Sequence, residues 1–264
     1  MYDFRRCKLC GEEQASPKYR LKRMTLYCCG HCDFHFIDAL DNFPAEQQDG
    51  NLLTAEARSY IERKLPQNTL QLEKNLRFVQ SHVAPEGLRC LDIGSGAGVF
   101  PDLLQKAGAV AEGIEPQQVF REFAREKYRI VLASELIDDP RWQKQSRGAF
   151  DVATLWDTLE HVNFPAETIQ AICSVLRPGG YLFLDTPCRD SLFYRASEWS
   201  HRLSLGTRPL LLNTLYSAGR YGHKQIFTMR QLQNLLERSG FSVLGRSGLH
   251  RSRNKLVLAC RKQG

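Results

Sequence analysis

Four of the nine cysteines form two CxxC pairs, Cys7-Lys8-Leu9-Cys10 and Cys29-Gly30-His31-Cys32, with residues 11–28 between them. Thiolates so spaced make two tight knuckles aimed at one ion, and four of them close a tetrahedral zinc shell with no position left for water. Such a site builds structure and does no chemistry. Cys28 and His31 lie near enough to replace a neighbour as ligand; Cys29 and Cys32 are preferred because they alone repeat the geometry of the first pair.

A second group of residues could hold a nucleotide. Arg89-Cys90-Leu91-Asp92-Ile93 reads as a short apolar strand, Gly94-Ser95-Gly96-Ala97-Gly98 follows at once, and a helix should run from about Val99 to Ala107. Strand, glycine loop and helix in that order let backbone approach a ligand at the carboxyl end of a strand in an α/β sheet. The third glycine comes one residue early for a dinucleotide fingerprint, and Asp92 precedes the loop. A further strand, Ala109-Val110-Ala111-Glu112-Gly113-Ile114, ends at Glu115. A carboxylate there can accept both hydroxyls of a ribose.

Two later blocks complete a pattern: Phe150-Asp151-Val152-Ala153-Thr154-Leu155-Trp156-Asp157-Thr158-Leu159-Glu160-His161-Val162 and Leu176-Arg177-Pro178-Gly179-Gly180-Tyr181-Leu182-Phe183-Leu184. In order and spacing, LDIGSGAG, Glu115 and these blocks resemble the successive signatures of class I S-adenosylmethionine-dependent methyltransferases, over roughly residues 70 to 262. With the N-terminal cysteines, the chain resembles a bacterial small-molecule subgroup that carries a zinc ribbon. The resemblance implies an α/β fold, a Rossmann-like seven-stranded mostly parallel sheet with helices on both faces, plus the small ribbon module. It also implies that Gly94, Gly96 and Gly98 admit the methionine part of S-adenosylmethionine, that Asp92 orients the loop or the amino group, and that Glu115 holds the ribose. Glu135 or Leu136 would flank the adenine, where the pattern departs most from the family's. Trp156 and Asp157 would line the wall beside the methyl group; the plain alternative for Trp156 is a core aromatic.

The sulfonium already carries an activated methyl group, so the protein must mainly align a nucleophile and exclude water. His161, just beyond the fourth strand, is the first candidate for a general base, and His223, in His223-Lys224-Gln225-Ile226-Phe227-Thr228, is the second. Either could serve only to hydrogen-bond backbone or cap a helix.

These side chains need a scaffold. A ribbon module over 1–40, a linker with entry helices over 41–85 and a catalytic domain over 86–264 divide the chain, with an insertion at about 187–222 that can cover the acceptor. The linker's first helix spans Thr54 to Leu65 and stops at Pro66; Asn68 caps a second, with Leu72, Leu76, Val79 and Val83 on one face. Tyr60 could reach over a cofactor. Within the insertion, Phe193, Trp199, Arg208 and Tyr221 stand among further aromatic and basic groups, a mixture suited to a ring or sugar bearing phosphate or carboxylate. Pro209-Leu210-Leu211-Leu212 is too short for a membrane and serves as packing. A helix from Met229 to Ser239, stopped by Gly240, and a closing hairpin of Phe241–Leu244 with Lys255–Cys260 follow; Arg246, Arg251 and Arg253 read as a solvated turn.

With 42% hydrophobic and 25% charged residues, the composition is that of a globular protein. No apolar run approaches the length of a membrane span, and no secretory apolar region precedes the cysteines, so the expected compartment is the cytoplasm, where thiols stay reduced. A net charge of +7 and pI near 9.0 favour anionic partners. The leading function is methyl transfer to a small metabolite, oxygen being the first-choice acceptor. An RNA base methyltransferase that reads RNA through its ribbon, and a catalytically silent cofactor-binding protein, are the competing readings. Acceptor, pathway and oligomeric state lie beyond composition.

Overall fold

A computed structural model of the chain describes residues 2–42, 52–204, 210–247 and 254–264. The connector beyond residue 42, together with Arg208, Pro209, Arg251 and Arg253, lies outside the described residues. At the N-terminus, β1 (Ala15–Arg20) and β2 (Thr25–Cys29) make the expected hairpin, and β3 (His35–Ile37) returns beside it. Thr54 caps α1 (Ala55–Gln80), its side chain accepting from the Ala57 N–H.

This helix corrects the expectation of a break at Pro66, which lies inside one continuous helix. Proline removes one backbone hydrogen bond, at the carbonyl four residues earlier. That carbonyl belongs to Glu62, in an exposed stretch where water can take the missing donor's place. Downstream, Phe78 and Val79 are buried beside Phe100 and Leu104, and this burial holds the helix on its course.

The chain then alternates strand and helix: β4 (Arg89–Ile93), α2 (Val99–Lys106), β5 (Val110–Ile114), α3 (Gln118–Tyr128), α4 (Pro140–Gln145), β6 (Phe150–Leu155), α5 (Pro165–Val175) and β7 (Leu176–Pro187). After these come α6 (Leu192–Leu203), α7 (Leu210–Leu215), β8 (Gln225–Ile226), α8 (Met229–Arg238), β9 (Phe241–Arg246) and β10 (Lys255–Lys262). The main sheet runs β5-β4-β6-β7-β10-β9. Its first four strands are parallel, and β10 is antiparallel to both neighbours, the predicted closing hairpin.

Among the described residues this sheet has six strands, where seven were expected. The missing strand follows α3, where Ala133 makes a single parallel bridge to Ile114. Arg129 turns left-handed at φ 62°, and Ile130 donates back to the Ala124 carbonyl, so the chain is still leaving its helix when it reaches the sheet edge. Val131 is 81% exposed, and only Ala133 comes into register.

Apolar residues cover both faces. Phe78, Phe100, Leu104 and Trp156 pack one face through α1 and α2, while Ile169, Ile172, Leu232 and Leu236 pack the other through α5 and α8. The second core also takes in Cys7, Cys29, Phe34 and Phe36 from the N-terminal segment. The four-stranded N-terminal sheet runs β1-β2-β3-β8, so its last strand comes from near the end of the chain. The insertion joins it: Tyr194, Leu212 and Tyr216 pack with Leu21, Leu26 and Ile37. No helix among the described residues is long and apolar enough to cross a membrane.

Candidate functional site

The order of the main sheet places β4 between β5 and β6, so the connections that leave β4 and its neighbours part company at its carboxyl end. Ligands bind at such a crevice in α/β sheets. Here the loop after β4, the end of β5 and the loop after β6 enclose a cavity of about 380 Å³, within the range of small-molecule sites.

Gly94, Gly96, Glu115, Asp157 and His161 line it, as does Leu136 of the two residues expected beside an adenine. Glu135 instead pairs with Arg141 at 2.9 Å. Gly94 has φ 77°, and a Cβ there would lie 2.2 Å from Thr158 Oγ1; no larger residue fits. Gly96, at φ 51°, is different, because a Cβ there would meet nothing within 4 Å and would project into open space. Its missing side chain leaves a cradle that a ligand can fill.

Glu115 is buried, and each carboxylate oxygen accepts one backbone N–H, from Gly96 and Gln117, both at 2.8 Å. Each oxygen keeps lone-pair capacity toward the cavity. Burial pushes its carboxyl up to about 7 against the pull of those two N–H groups. Asp92 lies behind the loop, taking the Thr154 hydroxyl at 2.5 Å, and burial raises it to about 6. Gly98 begins α2 against Ala124, whose Cβ would be 2.6 Å from an added methyl. Neither Asp92 nor Gly98 lines the cavity.

Trp156 takes the plain alternative of a core aromatic and does not line the cavity wall. It is buried in the core with Phe78 and Phe183, edge-on to Phe100 at 5.4 Å, on the far side of the sheet. Side chains alternate faces along a strand, and Trp156 shares the parity of Val152, which points to the same core. Asp157 alone of the pair reaches the cavity. It sits at φ 46°, its N–H donating to Asp185 at 2.5 Å, its carboxylate paired with Lys255. Tyr60 is exposed, away from this cavity beside Arg63 and Lys64.

His161 and His223 meet edge to face, with ring centroids 4.7 Å apart. Burial lowers both, His161 to about 4, with the neighbouring His223 adding to the shift. Both imidazoles are therefore neutral near pH 7. The loop that carries His161 is held from β8: Gln225 Nε2 donates to the carbonyls of Leu159 and Val162, and the Lys224 N–H to that of Glu160. Asp41 ties the same rim to the N-terminal segment. Its backbone exchanges hydrogen bonds with Asn163 at 2.8 and 2.7 Å, and its side chain accepts from the Tyr221 N–H and pairs with buried Lys224 at 2.8 Å.

Sequence reasoning missed Gln225, Asp41 and Asn163, whose polar types carry no chemical signature and whose partners are distant in the chain. It also missed Asp138, which lines the cavity and whose carboxyl burial holds above the ordinary range. The signal was present, since Asp138 lies only two residues past Leu136.

Across the molecule, Cys7, Cys10, Cys29 and Cys32 present sulfur atoms that all lie within 4.8 Å of one another. Cys7–Cys32 and Cys10–Cys29 are 3.6 and 3.7 Å apart, none of them in a disulfide. Bonds of 2.3 Å to a tetrahedral zinc would set neighbouring sulfurs about 3.8 Å apart, so the donor set fits that ion. Cys28 stands outside the cluster and donates to Asp33.

Comparison with known proteins agrees with this geometry. A family model described as "Methyltransferase domain" matches residues 57–245. The ubiquinone biosynthesis O-methyltransferase of Nitrosococcus oceani is 28% identical over 187 residues, 69% of this chain and 74% of that protein. The protein of the same name from Aeromonas salmonicida is 31% identical, over 62% of this chain and 67% of its own length. Among solved structures, the 1,6-didemethyltoxoflavin-N1-methyltransferase of Burkholderia thailandensis, with bound 1,6-didemethyltoxoflavin and S-adenosylhomocysteine, aligns with a TM-score of 0.57. That alignment covers 94% of this chain and all of the other at 15% identity, a likeness of fold.

Proposed function

The chain belongs to the methyltransferase-domain family, of the class I, S-adenosylmethionine-dependent kind, and from that premise we propose that it methylates a hydroxyl oxygen of a small metabolite in the cavity between β4, β5 and β6. One observation carries the placement: Glu115 closes β5 with an N–H on each oxygen and spare acceptor capacity facing the cavity, next to the open space beside Gly96. In this reading Glu115 takes the ribose hydroxyls through charge-assisted hydrogen bonds. Gly94 and Gly96 let the backbone close on the methionine part, while Leu136 and Asp138 lie where the adenine is bounded. Asp92 acts from behind, tying β4 to β6 through Thr154 just before the loop begins.

The bound sulfonium supplies an activated methyl group, leaving the protein to orient the acceptor and manage its proton. The His161–His223 pair is the place where that proton is managed, since His161 faces the cavity and His223 backs it. Oxygen as the acceptor atom is supported by the two O-methyltransferase relatives. The four cysteines hold a structural zinc ion, in a ribbon module over residues 1–40 whose strand β3 extends to β8 and so steadies the loop that carries His161.

Calorimetric titration of zinc-loaded protein with S-adenosylhomocysteine tests the reading. Saturable uptake of one equivalent is expected, and loss of uptake in Glu115→Ala locates it; no uptake by folded protein would sink the proposal.

A further inference from the structure

Beyond the cavity wall lies a buried carboxylate that nothing in the methyl-transfer reading uses. Glu160 is fully buried, and neither of its oxygens has a hydrogen-bond partner. The other buried acids among the described residues are all satisfied: Asp92 by Thr154, Glu115 by two N–H groups, Asp41 by Lys224 and Asp185 by Lys255. A carboxylate removed from water with no donor is strongly disfavoured unless a proton or a cation joins it.

The neighbours of Glu160 are ligands. One donor atom each from Glu160, His161 and His223 falls within a group whose atoms all lie within 4.8 Å of one another. His161 Nε2 is 4.0 Å from Glu160 Oε1, and His161 Nδ1 is buried without a partner. His223 Nδ1 lies 3.1 Å from the Leu215 carbonyl, which can only accept, so this nitrogen carries the ring proton and Nε2 keeps its lone pair. A metal-binding histidine is normally set in this way, its second nitrogen donating to a backbone carbonyl. The loop is stiff, pinned at Leu159, Glu160 and Val162 by Lys224 and Gln225.

We propose that Glu160, His161 and His223 form a second metal site, for a first-row divalent cation, on the acceptor side of the cavity. Two imidazoles and one carboxylate suit such ions, and three protein ligands leave coordination positions open for another molecule, unlike the closed cysteine shell. Ligand atoms about 2.0–2.2 Å from one ion stand roughly 3–3.5 Å apart, so binding draws the three groups inward by side-chain movement of about 1 Å. Because His161 lines the cavity, an ion held by these three side chains would sit at its wall.

What the cation does rests on the reading of this cavity as a methyl-transfer site; that it binds does not. A cation there would take the histidine lone pairs and, in place of direct proton transfer to the rings, would make an acceptor hydroxyl on it give up its proton to solvent more readily, as metal-bound water does. The oxygen's electron pair then forms the new C–O bond while the pair of the breaking C–S bond stays on sulfur, leaving the neutral thioether. The site therefore selects acceptors with an accessible hydroxyl oxygen.

Cobalt(II) titration of metal-stripped, reduced protein, followed by absorption and proton NMR, separates the two sites. Wild-type protein should take up one equivalent with strong sulfur-to-cobalt charge-transfer bands, then a second with only weak ligand-field bands and paramagnetically shifted imidazole resonances. Glu160→Gln and His223→Gln should each weaken the second binding by tenfold or more and keep the first, which reports an intact fold. Uptake of the sulfur-ligated equivalent alone by wild-type protein, or full retention of the second by both variants, overturns the proposal. In the first case Glu160 is simply protonated. Should Glu160→Gln fail to fold, His223→Gln and the wild-type titration still decide. S-adenosylhomocysteine uptake, measured alongside, reports separately on methyl transfer: uptake without a second cobalt removes only the metal.

Discussion

The four-cysteine cluster and the cavity below the glycine loop are built on opposite terms. In the cluster the four sulfur atoms all lie within 4.8 Å of one another, and Cys7 and Cys29 are anchored in the core that Phe34, Phe36 and Leu232 share. In the cavity the important atoms face outward: the oxygens of Glu115 retain acceptor capacity, and Gly96 leaves space open. A closed donor set stores folding energy, whereas an open one can spend its interactions on a ligand. Damage to the first should therefore appear as lost stability, and damage to the second as lost affinity.

The sharpest way to break this contrast is Cys10→Ser. It should abolish zinc binding by metal analysis and lower the melting temperature by roughly 5–15 °C, as expected for a loss of about 2–4 kcal/mol in a chain of this size. Full zinc content with an unchanged melt would mean that the cluster is not closed. Next in size, Glu115→Ala should weaken S-adenosylhomocysteine binding by about 1–3 kcal/mol, roughly 5- to 150-fold in Kd. Its zinc content should be unaltered, and unchanged calorimetric affinity would remove the ribose role.

Acidity sharpens the same point. Burial holds Glu115 up at about 7, so the free folded protein keeps a proton that the unfolded chain gives up above its ordinary value of 4.5. The stabilising contribution of that proton is present below about 4.5 and lost as pH rises through about 7. Ligand hydroxyls favour the ionised form, so affinity should move the opposite way, strengthening as pH rises through the same window. Calorimetry at pH 6 and pH 8 should show a difference that Glu115→Gln abolishes. The smallest expected effect is that of Trp156→Phe. Packed behind the sheet, it should cost about 1–2 kcal/mol of stability and shift cofactor affinity by less than about twofold; a large loss of affinity would place the indole in the site after all.

Much of the architecture could be read along the chain because its determinants are local. CxxC spacing, a glycine loop between an apolar strand and a helix, the acid after β5 and the stop of α8 at Gly240 each depend on residues a few positions apart. Expectation failed where two local rules competed with burial. Proline at 66 predicts a stop, but burial of Phe78 and Val79 downstream holds the helix across it. The strand expected after α3 was lost because its only partner is the edge strand β5, and the turn at Arg129 leaves a single residue in register.

In the site, Glu115, Gly94, Gly96, Asp157 and His161 could be picked out by type and position because each ends or follows a strand of the crevice. The side to which Trp156 points depends on strand parity relative to the packed core, which the motif alone does not specify. Gln225, Asp41 and Asn163 were invisible for another reason: an amide or acid gains its role from the partner it meets, and these partners are tens of residues distant or more.

Short-range patterns thus sufficed for the family, the cysteine quartet and several of the cavity-lining residues, because spacing along a strand, loop or helix turn already dictates which atoms can converge. The union of β3 with β8, the burial of Glu160 without a donor and the meeting of the Glu160-His161 pair with His223 emerged only on folding. They depend on which distant segments share a core, a quantity summed over the whole chain rather than written in any one stretch of it.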